Sequence, residues 1–319
     1  MKSIYTSFIA DIIFPFHEWL KKHSSVAIRK EMEQTQWWEK SKIEKHQIEQ
    51  LQKLLKNCID NVPYYQKLFN KLAIDESNFN TLSDLQKLPL MDKNTIKKNT
   101  EELKSLIARD LSRGNTGGSS GEPLIFFIGK ERTSHDVAAK WRATRWWDVD
   151  IGDKEIVLWG SPIELSTQDY VRLIRDKLIR TQLLSAFELN EEKINDFLKI
   201  IKKTRPAMLF GYPSVMSMIA EYADKHNICL QDLGIKVAFV TSERLYDYQR
   251  KQIEQTFNCP VANGYGGRDA GFIAHQCPAG SMHITAEDII VEIIDNEGSV
   301  LPEGEQGEIV VTQLFTSDF

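Results

Sequence analysis

From about residue 111 to the end of this 319-residue chain, short apolar runs alternate with stretches that have the spacing of amphipathic helices. No other feature of the sequence constrains the fold as strongly. Such alternation is typical of an α/β fold whose sheet is largely parallel and flanked by helices, and ligands of such folds bind at loops that follow the carboxyl ends of strands. The strand-like runs are Leu124–Ile128, Glu155–Trp159, Ala207–Phe210, Ile235–Val240, Ile289–Ile294 and Glu308–Thr312, and the helical patterns include Ile194, Phe197, Leu198, Ile201 and Val215, Met218, Ile219, Tyr222.

Residues 1–110 have a different pattern, which predicts a mostly helical segment. Apolar residues from Leu51 to Val62 recur every three or four positions, as on one buried helix face. Pro63 should end that helix, because proline lacks an N–H group and its ring clashes with the preceding turn. We therefore expect a helical N-terminal segment packed on a main domain of residues 111–319. The predicted face consists of Leu51, Leu54, Leu55, Cys58, Ile59 and Val62.

An apolar stretch near the N-terminus runs from Phe8 to Phe16 and is interrupted by Asp11. It is too short and too broken to span a membrane, and no small-residue cleavage site of a signal peptide follows it. Two interpretations stay open, contact with a membrane surface and packing on the body of the protein, and the pattern favours packing. The four cysteines are scattered without a CxxC pair, so we expect a cytoplasmic protein without a transmembrane segment.

The charge balance argues against a nucleic-acid partner. The chain has 40 basic and 45 acidic residues, and its formal net charge of −5 offers no general attraction for phosphates. The basic run from Lys93 to Lys98 is typical of a solvated helix face. The tryptophans and arginines between Trp141 and Trp147 are explained better by a helix packed on the sheet than by stacking on bases.

A loop rich in glycine and hydroxyl side chains precedes the first strand-like run. Glycines let a backbone approach a ligand closely, and successive N–H groups in such a turn form an anion-binding nest. The loop is not a Walker P-loop, because no Gly-Lys-Ser/Thr follows, and Pro123 and a strand come next instead of a helix. Its composition fits polyphosphate binding, although a flexible surface turn is an equal alternative from composition alone. The candidate phosphate-binding residues are Thr116, Gly117, Gly118, Ser119, Ser120 and Gly121.

A second glycine-rich segment extends from Asn263 to Gly271. The ring of Tyr265 could stack on a purine, and the carboxylate of Asp269 could hold Mg²⁺ beside phosphates. Taken alone, the segment is better explained as a tight turn with a solvated aspartate.

Together these two segments resemble the signature motifs of the adenylate-forming superfamily. Residues 116–123 read Thr-Gly-Gly-Ser-Ser-Gly-Glu-Pro, which is similar to its phosphate-binding motif, and Tyr265 to Asp269 is similar to its Tyr-Gly-x-x-(Glu/Asp) motif. Glu122 replaces the lysine of many members, as is frequent in the phenylacetate–CoA ligase branch, and Arg268 is familiar in CapK-like proteins. Shorter matches follow the family order over residues 45–319, at Val62–Tyr65, Phe210–Ser214, Thr241–Leu245 and Gly304–Thr312.

The resemblance implies the large domain of an enzyme that uses ATP and Mg²⁺ to activate a carboxylic acid as acyl-AMP. The acyl group would then pass to coenzyme A or another acceptor, and the CapK branch implies a link with surface polysaccharide synthesis. By the same likeness, Asp269 would support Mg²⁺ and Thr116 to Gly121 would hold the ATP phosphates. The implied adenine-binding residues are Ser242, Glu243, Tyr265 and Gly266, and the implied acyl pocket is Trp159, Gly160, Tyr212 and Pro213.

The resemblance also implies elements that would follow Phe319. These are an Arg-Tyr-x-Thr-Gly-Asp motif and a small C-terminal domain that carries the catalytic lysine, so we assign no catalytic residue to the chain. A truncated polypeptide, one product of a split gene and a non-catalytic nucleotide-binding or scaffold protein are the alternatives. A homodimer and a complementing C-terminal fragment are the candidate protein partners.

A weaker constellation consists of His275, Cys277 and His283. Imidazole and thiolate groups are suitable zinc ligands, but the spacing is not that of a standard zinc finger. Some members of the similar family carry a structural zinc near this position. An ordinary loop is the favoured interpretation, and zinc is the speculative one.

Overall fold

The computed structural model describes residues 3–116, 123–160 and 170–319. The described part of the first 110 residues is largely helical. A π-helical turn, Ile9–Ile13, joins the first two helices, and 3₁₀ turns lie at Glu76–Asn78 and Leu82–Lys87. The α-helices are α1 (Ile4–Phe8), α2 (Phe14–Leu20), α3 (Ser25–Thr35), α4 (Lys40–Asn61), α5 (Pro63–Leu72) and α6 (Lys93–Asn99).

Pro63 separates α4 from α5 as the sequence predicts. Helix α4 ends at Asn61, Val62 is extended, and Pro63 takes the first turn of α5, where a backbone N–H has no partner inside the helix. The predicted apolar face of α4 is confirmed at its buried residues Leu51, Leu55 and Cys58.

The remainder of the described chain alternates strands with helices. The helices are α7 (Lys130–Trp146), α8 (Tyr170–Ile179), α9 (Glu191–Thr204), α10 (Pro213–Lys225) and α11 (Asp247–Phe257). The strands are β1 (Ser112–Asn115), β2 (Ile125–Ile128), β3 (Glu155–Trp159), β4 (Thr181–Ser185), β5 (Met208–Gly211), β6 (Val237–Thr241), β7 (Val261–Gly267), β8 (Gly271–Gln276), β9 (Met282–Ile284), β10 (Ile289–Ile294) and β11 (Glu308–Gln313). Within the described ranges, none of these helices is both long and apolar enough to cross a bilayer.

Seven strands form one sheet in the order β4-β3-β5-β6-β7-β8-β9, and its first five members pair in parallel. Strand β6 is buried along its whole length, as expected for a parallel strand with both faces covered. The predicted α/β fold with a mostly parallel sheet and flanking helices is therefore confirmed.

Three of the strand-like runs predicted from the sequence lie outside the seven-stranded sheet and pair antiparallel. Strand β1 pairs antiparallel with β2, and β10 pairs antiparallel with β11. Parallel neighbours need a crossover of a dozen or more residues, usually a helix. The segment between Ile294 and Glu308 is fully described and contains no helix, and the segment between Asn115 and Ile125 is shorter still. Short connections therefore place these strands in hairpin-like pairs.

The chain divides into two compact units. The division falls inside α7, in the middle of β8 and near the ends of β7 and β9. The boundary predicted between residues 110 and 111 stays a prediction. The first unit is Met1–Lys21, Lys140–Gly266 and Ala274–His283, and the second is Lys22–Ala139, Gly267–Ile273 and Ile284–Phe319.

Both faces of the parallel strands carry a core in the first unit. Successive side chains of a strand point to opposite faces, so Leu209 packs with α9 and α10 whereas Phe210 packs in a second cluster with Phe239 and Ala143. Trp146 and Trp147 pack against this second cluster, which confirms the predicted helix on the sheet. Four apolar residues of α9 are buried as predicted, namely Ile194, Phe197, Leu198 and Ile201. Met218 of α10 was expected in the core but is 44% exposed.

In the second unit, helix α4 packs on strand β10 of the antiparallel pair β10–β11. Leu51 and Leu55 of α4 lie in one cluster with Ile290 of β10. Gln47 adds two hydrogen bonds from its amide nitrogen to the carbonyls of Ala286 and Ile289, at 2.9 and 3.0 Å.

Candidate functional site

Four neighbouring parallel strands of the first unit end at the same edge of the sheet. Their register pairs Leu158 of β3 with Gly211 of β5, and Thr241 of β6 with Gly264 of β7. We call this edge the carboxyl edge of β3, β5, β6 and β7. The structure brings the predicted acyl and adenine residues to it, namely Trp159, Gly160, Tyr212, Pro213, Ser242, Glu243, Tyr265 and Gly266.

An aromatic pair occupies the β3 and β5 part of the carboxyl edge. The rings of Trp159 and Tyr212 are stacked, with centroids 4.6 Å apart and an interplanar angle of 24°. At Gly160, a Cβ atom would lie 3.5 Å from Cε2 of Tyr212, in ordinary van der Waals contact. The pair therefore forms a half-buried aromatic wall.

The indole N–H of Trp159 is a further polar feature of this wall. Its nitrogen is buried, and among the residues described here it has no hydrogen-bond acceptor. Most buried donors in folded proteins have a partner, because an unpaired one loses its hydration without compensation. A ligand oxygen is a suitable acceptor for this N–H.

The Gly-Tyr-Pro sequence after β5 has a structural reason at each position. Gly211 has φ +149°, and a Cβ atom there would lie 2.1 Å from the carbonyl oxygen of Leu158. Only glycine therefore fits between β5 and β3. Tyr212 is the N-cap residue of α10, and Pro213 takes the first turn of that helix, where its fixed φ is favourable.

The loop after β6 is tied to the start of α10. The carboxylate of Glu243 accepts a hydrogen bond from the backbone N–H of Ser214 at 3.3 Å. Ser242 has φ +69°, a left-handed conformation that is uncommon for a residue with a side chain. The side chains of Ser242 and Glu243 are exposed, so they are accessible to a ligand at the carboxyl edge.

Tyr265 lies on a strand, whereas its glycine-rich surroundings predicted a loop. Strand β7 continues through Asn263 to Gly267, and Tyr265 is 48% exposed. The preceding Gly264 is buried against Phe239, and a Cβ atom there would be 3.0 Å from that ring. The segment contains glycine because the strand is closely packed on one side, while the other side presents an exposed ring that could stack on a base.

Thr116, the first residue of the candidate phosphate-binding loop, belongs to the second unit. Thr116 donates from its backbone N–H to the carbonyl of Leu124 at 3.0 Å, and its side-chain oxygen accepts from the Leu124 N–H at 2.9 Å. The hydroxyl oxygen of Thr116 is the acceptor in this second bond, so the hydroxyl hydrogen remains available to donate to another group. Gly117, Gly118, Ser119, Ser120 and Gly121 lie outside the described residues.

Asp269 lies in a turn of the second unit that we call the 267–271 turn. Its side chain is exposed, and one carboxylate oxygen accepts from the N–H of Ala270 at 3.1 Å. A Cβ atom at Gly267 would lie 2.7 Å from the same oxygen, so a side chain there would displace the carboxylate. The turn thus holds the carboxylate in a local hydrogen bond and leaves it accessible.

Two residues distant in sequence support the 267–271 turn, and sequence reasoning missed both. Arg132 donates to the carbonyl of Asp269 at 3.3 Å, and the amide nitrogen of Gln313 donates to the carbonyl of Ala270 at 2.8 Å. Arg132 is buried and also bonds to Asp136 at 3.1 Å. Arg132 and Asp136 have the i, i+4 spacing of a helical ion pair, which is visible in the sequence. No residue next to Gln313 indicates its hydrogen bond to the Ala270 carbonyl.

Burial raises the pKa of Asp136, and the neighbouring charge of Arg132 acts in the opposite direction. The carboxylate of Asp136 therefore depends on the guanidinium for stabilisation of its charged form.

The three speculative zinc ligands are not assembled. No group of three histidine, cysteine or acidic side chains that could hold a metal ion occurs in the described ranges. His275 is fully buried, its ring lies 5.8 Å from that of Phe239, and His283 is exposed beside Trp146. Burial, assisted by the charges of two basic side chains, lowers the pKa of His275 to about 3, so its imidazole is neutral near pH 7. The side chain serves as part of the core.

Comparison with known proteins connects this geometry to one family. Residues 183–316 match the family described as AMP-binding enzyme. The chain is 25% identical over 260 residues to Protein CapK of Staphylococcus aureus, a match that covers 81% of this chain and 56% of that protein. It is also 25% identical over 286 residues to the phenylacetate-coenzyme A ligase of Pseudomonas putida, covering 85% of this chain and 62% of that ligase.

A solved structure with the same fold is that of 2-hydroxyisobutyryl-CoA ligase in complex with 2-HIB-AMP and CoA. It superposes with a TM-score of 0.72 at 17% identity, covering 88% of this chain and 61% of that chain. The chain thus spans between 56% and 62% of the length of these similar proteins.

Proposed function

We propose that the chain belongs to the adenylate-forming family of AMP-binding enzymes and takes part in ATP-dependent activation of a carboxylic acid, which its similarity to CapK and to phenylacetate-coenzyme A ligase supports. The activated acyl group would pass to coenzyme A or another acceptor. The observation that carries the proposal is the convergence of the predicted adenine and acyl residues on the carboxyl edge of β3, β5, β6 and β7. Parallel α/β sheets bind their ligands at this kind of edge.

In the first reaction, a carboxylate oxygen of the acid attacks the α-phosphorus of ATP. The bond from that phosphorus to the bridging oxygen of the β-phosphate breaks, and the products are acyl-AMP and pyrophosphate. In the second reaction, a thiolate attacks the acyl carbonyl carbon and AMP leaves with the carboxyl oxygen. The protein contributes mainly by positioning the reactants and stabilising charge.

Residues of the first unit would orient the acyl-adenylate part of the ligand. The exposed ring of Tyr265 would stack on adenine, and Ser242 and Glu243 would contact its edge. Trp159 and Tyr212 would form one wall of the acyl pocket, with the buried indole N–H donating to an oxygen of the acyl group. An aromatic wall favours acids with apolar or aromatic side groups.

Thr116 and the glycine loop would hold phosphate oxygens, and Asp269 would hold Mg²⁺. The exposed carboxylate of Asp269 is a hard oxygen ligand of the type that Mg²⁺ prefers, so it fits this role. When bound, Mg²⁺ supplies charge neutralisation at the phosphates. The hydroxyl of Thr116 can donate a hydrogen bond while it accepts one from Leu124.

A carboxylate-dependent ATP–pyrophosphate exchange assay tests the proposal. Phenylacetate, 2-hydroxyisobutyrate and a panel of other acids would be assayed with the chain alone and with an added C-terminal domain from a similar ligase. We expect exchange with at least one acid, strongest when the added domain supplies a lysine. Coenzyme A and a sugar acceptor would then be compared for consumption of the acyl-AMP, because the likeness to CapK supports a surface polysaccharide role.

The scaffold alternative predicts a different result. Such a protein would bind ATP in calorimetry and show no exchange with any acid, with or without the added domain. That outcome would refute acid activation while leaving nucleotide binding in place.

A further inference from the structure

The N-terminal helical segment of the first unit carries a continuous exposed apolar stripe. Its members recur every three or four residues, so they share one side of the helix formed by α1, the π-helical turn and α2. Ile4 is 92% exposed and Trp19 is 69% exposed. Large apolar side chains in one row on a protein surface mark a surface that contacts something other than water. We define the apolar stripe as Ile4, Phe8, Ile12, Phe16, Trp19 and Leu20.

The exposure is not caused by a helix detached from the protein. The opposite side is anchored in the first unit, where Thr6 donates to a carboxylate oxygen of Asp153 at 2.7 Å. The ring of Phe14 packs edge-on against Trp141 at 5.2 Å, and Ile9 is buried. The segment therefore buries large apolar side chains on one side and exposes others on the opposite side, whereas a surface helix of a globular protein is normally polar on the side that faces water.

Helix α8 widens the stripe. The hydroxyl of Tyr5 donates to the carbonyl of Leu178 at 2.7 Å, and the guanidinium of Arg180 lies 3.6 Å from the centroid of the Tyr5 ring. These contacts place α8 directly beside the N-terminal segment within the same unit. Three large apolar residues of α8 are also about half exposed, namely Leu173, Ile174 and Leu178.

The sequence of this region is basic, although the whole chain is acidic. The stretch from Arg172 to Arg180 contains four basic residues and one acidic residue, a net +3, in a chain of net −5. Lys177 is exposed on the same helix as Leu173 and Leu178. Apolar and aromatic side chains flanked by cations are typical of helices that lie in the interface of a membrane containing anionic lipids.

We propose that the apolar stripe and the exposed face of α8 together bind the surface of an anionic membrane, with the helix axis parallel to the bilayer. Phe8, Phe16 and Trp19 enter the boundary between headgroups and acyl chains, where aromatic rings are favoured. The exposed ammonium group of Lys177 on α8 attracts the anionic headgroups. The contact is peripheral and does not involve the carboxyl edge of the sheet.

Vesicle flotation with the full chain tests this proposal, using vesicles of phosphatidylcholine alone and of phosphatidylcholine mixed with phosphatidylglycerol. The double variant Phe16→Ser/Trp19→Ser should reduce binding to the mixed vesicles about tenfold or more, because two exposed aromatic side chains lose their contact with lipid. Trp37→Ser is the matched control, since Trp37 is 79% exposed in the second unit and should leave binding unchanged. Lys177→Glu should weaken binding to the mixed vesicles about fivefold or more, with little effect on phosphatidylcholine alone.

Three outcomes would overturn the proposal. The wild-type chain could stay in the soluble fraction with both kinds of vesicle. Trp37→Ser could reduce binding as much as Phe16→Ser/Trp19→Ser does. Sedimentation could show a wild-type dimer that Phe16→Ser/Trp19→Ser converts to a monomer without vesicle binding, which would assign the stripe to a second copy of the chain. Thermal melting of each variant verifies that the substituted side chains, being exposed, leave the fold intact.

Discussion

The carboxyl edge of β3, β5, β6 and β7 and the 267–271 turn both carry predicted ligand-binding residues, but they are stabilised in different ways. At the carboxyl edge, strand ends and a helix N-terminus determine where Trp159, Tyr212 and Tyr265 lie. In the turn, the backbone carbonyls are held by side chains of Arg132 and Gln313 from distant parts of the chain. A site built on regular backbone can be inferred from local sequence patterns, whereas a turn held by remote side chains can be explained only with tertiary contacts.

Substitution of Gly211 should have the largest effect on stability. In Gly211→Ala, the added Cβ would meet the Leu158 carbonyl oxygen at 2.1 Å in a backbone conformation with φ +149°. We expect a loss of about 4 kcal/mol of unfolding free energy, from backbone strain and overpacking together. Urea denaturation followed by circular dichroism measures this loss.

Gly234→Ala is the matched control for that experiment. Gly234 lies in the same unit and also has positive φ, +72°, but a Cβ atom there would have no neighbour within 4 Å. It should cost about 1–2 kcal/mol from conformational strain alone. Equal losses of unfolding free energy in both variants would show that the close packing of Gly211 against Leu158 does not determine the geometry of the carboxyl edge.

Substitution of Arg132 should have the next largest effect. Arg132→Met removes the bond to the Asp269 carbonyl and leaves the partly buried carboxyl group of Asp136 without its cation. We expect a loss of about 2 kcal/mol in urea unfolding, because both the carbonyl and the partly buried carboxylate lose a charged hydrogen-bond donor. Arg205→Met is the control, since Arg205 pairs with Asp232 on an exposed surface and should lose about 0.5 kcal/mol or less. A small loss for Arg132→Met would mean that Arg132 does not stabilise the 267–271 turn.

Substitution of Tyr265 should affect ligand binding and leave stability nearly unchanged. The ring is 48% exposed, so Tyr265→Ala should change the unfolding free energy by about 0.5 kcal/mol or less. Loss of stacking on adenine should raise the Kd for ATP about tenfold. Calorimetry with ATP and Mg²⁺ measures this change, and Tyr248→Ala, which removes a 65% exposed ring from α11, is the control. Equal Kd values for ATP in the two variants would show that adenine does not stack on Tyr265 of β7.

Metal removal should have the smallest effect. We expect EDTA and added Zn²⁺ to leave the Tm unchanged, because His275 is buried in the core and the described residues assemble no three-ligand group. Differential scanning fluorimetry of the wild type and of His283→Ala checks this expectation. A drop in Tm with EDTA, absent in His283→Ala, would restore zinc as a structural element.

The sequence predicted strands best where apolar residues are continuous. The run Ile289–Ile294 coincides with β10, whereas β4 was not predicted, because an edge strand with Thr, Gln and Ser among its residues lacks a clear pattern. Strand β7 was expected to be a loop, because glycine has low β propensity. The strand owes its place in the sheet to its pairing with β6, which local sequence does not reveal.

For the candidate site, resemblance to adenylate-forming enzymes predicted which residues at the strand ends contact the ligand. The parallel sheet explains why these residues lie at one edge. The supporting roles of Arg132 and Gln313 were not predictable, because each depends on the three-dimensional position of a turn more than 40 residues away in sequence. Residues that contact a ligand are more easily predicted than the residues that hold them.

If the proposed function is correct, the carboxyl edge of β3, β5, β6 and β7 binds an acyl-adenylate. Calorimetric titration with a non-hydrolysable acyl-AMP analogue, phenylacetyl sulfamoyl adenosine, measures this binding. We expect one molecule bound per chain, with affinity about tenfold lower in Trp159→Phe, which keeps a ring but removes the buried indole N–H donor. Absence of binding to the wild type, or unchanged affinity in both Trp159→Phe and Tyr265→Ala, would contradict it.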